Sequence, residues 1–291
     1  MTPPPTPPDD LALLERAHRA AGEMQQAIGR VIVGQSPIVR SLLAAVFAEG
    51  HVLIVGVPGL AKTLLVKTLA RTLGLSFSRI QFTPDMMPAD ITGTEMLQTD
   101  PAGRREMRFI PGPIFANLVL ADEINRTAPK TQSALLEAMQ ESAVTAMGRT
   151  HAIDRPFLVV ATENPIEQEG TYPLPEAQLD RFMFSLAMDY PDAADERAIV
   201  ELAAAPTEPA IEPTLTLEQL LEYQSLVRRV PVPGHVVDEA VALVRRTRPS
   251  ESDRDSIRQY VQWRAGPPAG QHLITAAKAL AVIDGQPAAT A

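Results

Sequence analysis

The sequence predicts an α/β fold: a three-layer core holding a parallel five-stranded sheet between helices, followed by a small all-α domain. Three observations carry that prediction. Five short apolar runs occur up to Met188, "HVLIVG" (51–56), "SRIQFT" (78–83), "NLVLAD" (117–122), "FLVVAT" (157–162) and "FMFSLAM" (182–188), and turn or polar residues follow each. Strands buried on both faces read this way, as near-continuous apolar runs without polar alternation. Helical spacing separates the runs, as over Thr63–Leu73 and Lys130–Met139, which is the pattern of parallel strands joined by crossover helices. Beyond Asp189 every periodic segment reads as helix.

In chain order, residues 1–9 are Pro-rich with almost nothing to bury and read as a disordered leader. Apolar residues at helical spacing then predict helices over Leu11–Gly29 and Ser36–Ala48, ahead of the first strand. The α/β domain is placed at 10–190. A linker at 191–213 contains a helix and a Pro-rich joint near 206–213, and a helical lid occupies 214–291. No internal repeat is visible.

Composition bounds the function. The chain has 291 residues, 45% hydrophobic and 21% charged, ordinary values for a soluble globular protein with a real core. The absence of cysteine excludes disulfides and thiolate metal sites and allows a reducing, cytoplasmic setting. The N-terminus lacks a basic start and apolar core of the secretory type, and no apolar run approaches a membrane span. A net charge of −9 argues against broad attraction to nucleic acid or anionic lipid. The late arginines, Arg228 to Arg264, are interleaved with acids and read as solvated helix faces, with an interaction surface as the other reading. The five histidines (18, 51, 151, 235 and 272) are not paired at ligand spacing, and no G-x-S-x-G elbow occurs, which removes metalloprotease and serine-hydrolase readings. Met86, Met87 and Met96 read as packing or substrate-facing groups.

The chemistry starts at "VGVPGLAKTLL" (55–65). Gly56, Val57, Pro58, Gly59, Leu60, Ala61, Lys62 and Thr63 follow the phosphate-loop pattern G-x-x-x-x-G-K-[ST], except that Ala61 stands where the last glycine belongs. Strand, glycine turn and helix follow one another, so backbone N–H groups and the helix N-terminus, through Leu64, are positioned to converge on an anion. Lys62 would place a charge on the β- and γ-phosphates, and Thr63 a hydroxyl on Mg²⁺. Ala61 is acceptable if its backbone keeps negative φ, since only the left-handed conformation demands glycine. A tight turn carrying a surface lysine is the other reading of the loop.

Asp122 and Glu123 end the third apolar run, where charge is costly without a purpose. Asp122 suits a Mg²⁺ water shell and Glu123 the activation of water, although acids at strand ends also cap helices. Asn164 follows the fourth run, placed to hydrogen-bond the lytic water or γ-phosphate, or simply to start the turn at Pro165. Arg181 precedes the fifth run. It reads either as an exposed arginine paired with Glu176 or Asp180, or as a planar cation presented to a neighbouring subunit's γ-phosphate. Ligands of such sheets bind beyond the carboxyl ends of the strands.

Together, "GVPGLAKTLLVKTLA", "FTPDMMPADITGTEM", "FIPGPIFANLVLADEINR", "PKTQSALLEAMQE" and "ATENPIEQEGTYPLPEAQLDRF" closely resemble the MoxR family of AAA+ ATPases, over about Val31 to Asp189. The resemblance implies a P-loop NTPase core that binds ATP and Mg²⁺, with alanine before the loop lysine. It also implies that Lys62 and Thr63 are the Walker A pair, Asp122 and Glu123 the Walker B pair, Asn164 sensor 1 and Arg181 an arginine finger acting across a subunit boundary. "VIVGQ" (31–35), with Gly34 and Gln35, is similar to the segment whose backbone contacts adenine; an interhelix turn is its plain alternative. "FTPDMMPADITGTEM" and a hairpin around "DPAGRREMRF" are similar to inserted pore-facing elements. The family implies a homo-oligomeric, hexameric ring with chaperone-like activity on client proteins, often alongside von Willebrand factor A domain proteins.

Two departures qualify the resemblance. Relatives carry a lid sequence similar to G-A-G-P-R-A-G-Q, whose arginine is sensor 2, whereas here "RAGPPAGQ" puts Arg264 at the first glycine and Pro268 at the arginine. Proline suits a helix's first turn but offers no charge. The helical lid is also expected to be shorter than in relatives. The alternative function is therefore a nucleotide-gated binding or scaffold protein with weak turnover. A DNA-translocating relative is disfavoured by the acidic balance.

Overall fold

The fold is that of a computed structural model, which describes residues 8–99, 105–146, 148–167, 170–204, 209–261 and 264–290. Two helices come first, α1 (Pro8–Gly29) and α2 (Ser36–Phe47). Asp9 and Asp10 in the first turn of α1 suit the positive end of its dipole. Pro8 and Asp9, assigned by sequence to the leader, thus belong to α1, while residues 1–7 lie outside the described residues.

β1 (His51–Gly56) leads through the phosphate-type loop into α3 (Lys62–Thr72) and then β2 (Phe77–Gln81). β2 is shorter than the apolar run suggested. At Phe82 the chain leaves the strand, and the ring drops into the core, fully buried. An insertion follows: α4 (Pro88–Thr92) and the antiparallel hairpin of β3 (Gly93–Thr99) and β4 (Arg105–Pro111). The hairpin expected around "DPAGRREMRF" is present as these strands; its turn lies outside the described residues. Gly93 sits at φ 96°, and a Cβ there would stand 2.3 Å from the Ile110 carbonyl oxygen, so only glycine lets the hairpin close onto α4.

β5 (Leu118–Asp122) precedes α5 (Pro129–Glu141), and a second hairpin, β6 (Ala143–Ala146) with β7 (Arg149–Ala152), precedes β8 (Leu158–Glu163). This hairpin carries no clear sequence signal, because its strands are four residues each and lack an apolar run. His151 of β7 stacks on Phe109 of β4 with centroids 3.7 Å apart, which joins the two hairpins. α6 (Glu176–Leu179) and β9 (Phe182–Met188) complete the α/β region.

The main sheet is five-stranded and parallel, in the order β2-β5-β8-β1-β9. One apolar cluster fills the face covered by α1, α2 and α3, and a second fills the face covered by α4, α5 and β6. Two buried faces explain why the strand sequences run apolar without alternation.

The remaining helices are α7 (Ala193–Ala203), α8 (Leu217–Arg229), α9 (Gly234–Arg246), α10 (Asp255–Tyr260) and α11 (Pro267–Ile283); no strand follows β9 among the described residues. Thr216 and Gln219 form a capping box that starts α8. Leu220 and Leu226 of α8 and Val282 of α11 belong to the same apolar cluster as Met24 of α1 and Phe47 of α2. No described helix is long and apolar enough to cross a membrane.

Candidate nucleotide site

Parallel strands deliver their carboxyl ends to one rim, and five of the residues singled out by sequence meet there. Lys62 and Thr63 open α3 just beyond β1, Asp122 ends β5, Glu123 follows it, and Asn164 follows β8. β5, β8 and β1 are neighbours in the sheet, so these residues are brought together by strand order alone.

The loop between β1 and α3 contains the main correction to the sequence argument. Ala61, expected at negative φ, takes φ 58° and ψ 24°, the left-handed conformation reserved there for glycine. It is the N-cap of α3, where the chain must turn sharply to aim the helix start back across the strand ends. That conformation costs an L-residue about 1–2 kcal/mol. Gly59 is also left-handed at φ 89°, and a Cβ there would meet nothing within 4 Å, so the loop borders open space. No side chain caps the first turn of α3. Its free N–H groups and positive dipole end therefore remain available to an anion. Lys62 is buried, its ammonium donating to the Gly56 carbonyl. Burial lowers its pKa, and the charges of Asp122 and Glu123 oppose that shift.

Both acids are held by several partners. Asp122, 7% exposed, accepts from Thr162 Oγ1 through Oδ1 at 2.6 Å. Its Oδ2 accepts from Arg79 Nη2 at 2.7 Å and Nε at 3.1 Å, with Thr63 Oγ1 at 3.5 Å. Glu123 is left-handed at φ 57°, ψ 50°. Its Oε2 accepts from Gln81 Nε2 at 2.8 Å and pairs with Arg126 Nη1 at 3.2 Å. Arg126 in turn donates to Glu167 Oε2 from Nε at 2.6 Å. Asn164, 3% exposed, accepts from the Ile166 N–H through Oδ1 at 3.2 Å.

Arg79, Gln81, Arg126, Thr162 and Glu167 were not singled out by sequence. Two signals were available: Arg79 and Gln81 alternate along one face of a strand, and Thr162 is a hydroxyl at the end of an apolar run.

Beside the loop lies a cavity of about 450 Å³, lined by Val31, Val33, Gln35, Leu60, Ile199 and Leu202 among others. Its size and apolar walls suit a small-molecule site. The "VIVGQ" segment forms one side, and Gly34, at φ 76°, lies so close to α7 that a Cβ would come within 2.5 Å of Asp195 Oδ2. Gln35 Nε2 donates to the Asp189 carbonyl at 3.3 Å. The stretch read as a linker also lines the cavity, through α7, Pro209 and Ile211.

The donors fit a nucleotide and its divalent ion. Thr63 and Asp122 offer two hard oxygens, the number protein sites commonly give to Mg²⁺ when phosphates supply the rest. No group of three or more candidate metal ligands exists among the described residues.

Arg181 does not join this group. It precedes β9, which runs parallel to β1, so it lies at the opposite rim, roughly 20 Å away by strand rise. There its Nη1 donates to the Leu136 carbonyl at 2.5 Å. Residues 265 and 266 are at that rim too: Ala265 N donates to Thr247 Oγ1 at 3.2 Å, and a Cβ on Gly266 would lie 3.6 Å from Asp180 Oδ2. His51 marks the same rim. Its Nδ1 accepts from Val159 N–H at 3.0 Å and its Nε2 donates to the Met139 carbonyl at 3.1 Å, and burial pulls its pKa down to about 4.

Comparisons with known proteins bear on the family and the fold. Residues 51–184 match the family described as "ATPase family associated with various cellular activities (AAA)". Uncharacterized protein YeaC of Bacillus subtilis is 44% identical over 275 residues, 94% of this chain and 82% of that protein. Chaperone MoxR1 of Mycobacterium tuberculosis is 45% identical over 260 residues, 89% of this chain and 68% of that protein. A crystal structure of a candidate ATPase from Cytophaga hutchinsonii superposes with a TM-score of 0.87 at 38% identity, covering 96% of this chain and 84% of that one. By its relatives, its parallel sheet and its phosphate-type loop, the chain belongs to the MoxR family of AAA+ ATPases.

Proposed function

We propose that the chain is a Mg²⁺-dependent ATPase whose turnover drives remodelling or maturation of partner proteins. One observation carries the reading: Lys62, Thr63, Asp122, Glu123 and Asn164 converge at a single rim, beside a cavity of nucleotide size. In this reading the base and ribose occupy the cavity, and the phosphates lie on the N-terminus of α3. Lys62 exchanges the Gly56 carbonyl for phosphate oxygens. Thr63 and Asp122 would hold Mg²⁺, for which Arg79 would give up its hold on Asp122 Oδ2. The bound ion would neutralise charge on the phosphates. Glu123, oriented by Gln81 and Arg126, accepts the proton of the attacking water, and Asn164 orients that water.

Arg181 belongs to a neighbour's site, because its own site lies at the other end of the sheet. This supports a ring of identical subunits, hexameric as the family resemblance implies. The exposed Met96, Leu97 and Met107 of the β3–β4 hairpin are the surface offered to clients. A von Willebrand factor A domain partner and a cytoplasmic setting complete the proposal. Glu123→Gln is expected to retain ATP binding and lose hydrolysis by about 100-fold or more. Equal hydrolysis by the variant and the unaltered protein, at concentrations that permit assembly, rules the ATPase reading out.

Pro268 favours a second reading, a nucleotide-gated scaffold with slow turnover, since the first turn of α11 offers no arginine. Pro268→Arg is then expected to raise turnover in the assembled protein. No change counts against it.

A further inference from the structure

We propose that Thr162 is a positioning residue that sets the directions of both acids, Asp122 and Glu123; this rests on the ATPase reading of the site. Thr162 is fully buried on β8, next to β5. The β5–β8 ladder ends at Ala121 and Ala161, and the Thr162 hydroxyl takes over where it stops. Its Oγ1 donates to Asp122 Oδ1 at 2.6 Å and accepts from the Glu123 N–H at 2.9 Å. The roles cannot be exchanged. An amide N–H only donates, so the single hydroxyl proton is committed to Asp122. Two other buried threonines act locally or as simple tethers: Thr72 donates to the Thr68 carbonyl and Thr131 to that of Met86. The Thr162 hydroxyl instead joins two consecutive residues of another strand.

Two consequences follow for the site. Asp122 has one oxygen turned inward, which leaves Oδ2 facing Thr63 and Arg79. In a continuing strand, Asp122 and Glu123 would project to opposite faces. The left-handed turn at Glu123 breaks that alternation. Arg79 and Gln81, alternate residues on one face of β2, then reach Asp122 and Glu123 respectively, so both carboxylates serve one face. Thr162 accepts the N–H that this turn removes from the ladder. An unpartnered buried N–H would otherwise oppose the turn.

The test compares Thr162→Val, which keeps the shape and removes the hydroxyl, with Thr162→Ser, which keeps the hydroxyl; Thr162→Ala replaces the valine variant if that fails to fold. Thr162→Val is expected to lower kcat by about 10- to 100-fold, as loss of a group orienting a ligand residue typically does. ATP affinity should stay within about 3-fold, so the loss falls on the chemical step. Thr162→Ser should restore most of kcat. Independently of hydrolysis, amide exchange at Glu123 in the nucleotide-free protein should quicken in the valine variant and recover in the serine variant. Full activity in Thr162→Val, a loss confined to ATP affinity, or equal defects in valine and serine would each overturn the proposal. If the unaltered protein lacks ATPase activity, the proposed function fails by itself. Amide exchange then decides: unchanged Glu123 protection in Thr162→Val refutes the positioning role, and serine-rescued loss supports it.

Discussion

The two rims of the central sheet are alike in backbone strain and unlike in what their polar groups still have to bind. Left-handed residues other than glycine occur at both, Ala61 and Glu123 at the carboxyl rim and Glu49 and Ser142 at the amino rim. At the amino rim these turns are closed internally. The Ser142 N–H finishes α5 on the Ala138 carbonyl, and that of Glu49 bonds Val46. His51 has both ring nitrogens bonded, and Arg181 rests on the Leu136 carbonyl. At the carboxyl rim α3 begins without a side-chain cap, beside open space at Gly59. Strain alone therefore does not mark the site. Unspent hydrogen-bonding capacity next to strain does.

This contrast breaks most visibly at Arg181. If the amino rim completes a neighbour's site, Arg181→Ala should reduce ATPase activity by about 1000-fold, as loss of an arginine finger does. Each subunit should still bind ATP at its own carboxyl rim. Mixing Arg181→Ala with Glu123→Gln subunits should recover part of the activity, because some interfaces then pair an intact arginine with an intact glutamate. Failure to recover at concentrations where the mixture assembles would place Arg181 outside the site.

Lys62→Ala tests the other rim directly. Losing a buried charged donor should weaken ATP binding by about 100-fold, corresponding to ~3 kcal/mol. Fluorescent-nucleotide titration measures it, and unchanged affinity would mean that the loop is only a turn.

The third test uses acid. His51 titrates near pH 6.5 when unfolded and at about 4 when folded, so the unfolded chain takes up its proton first as pH falls. The stabilisation from neutral His51 is complete above pH 6.5 and is lost as pH falls toward 4, a change of at most about 3 kcal/mol. Protonated Nδ1 could no longer accept from Val159. His51→Gln should lower stability at pH 7.5 and flatten the fall in melting temperature across that window. An equally steep fall in the variant would assign the acid sensitivity elsewhere.

Ala61→Gly should have the smallest effect. It relieves left-handed strain but adds backbone freedom to the unfolded chain, so melting temperature and ATP affinity should change little, the latter by less than about 3-fold. A large loss of affinity would mean that the methyl group itself contributes to binding.

The candidate site was legible from sequence where polar residues stand at the ends of apolar runs. Lys62–Thr63, Asp122–Glu123 and Asn164 sit at the ends of apolar runs, and a parallel sheet necessarily gathers such ends. Arg79, Gln81 and Thr162 were not legible, because their role depends on which strand lies beside which. β2 and β8 flank β5, and only that order brings three polar residues onto the two acids. The backbone of Ala61 escaped for another reason. Sequence favours glycine at left-handed positions, but a loop fixed at both ends can impose that conformation on alanine at modest cost.

By itself the sequence determined the layered α/β core, the helical C-terminal region and the charged groups at the strand ends, because hydrophobic period and turn chemistry are local properties. The tertiary structure alone decided that α7 walls the cavity, that α8 and α11 join the apolar cluster of α1 and α2, and that Arg181 and Gly266 lie at the amino rim. Those outcomes depend on long-range packing and strand order, which no short window of residues contains.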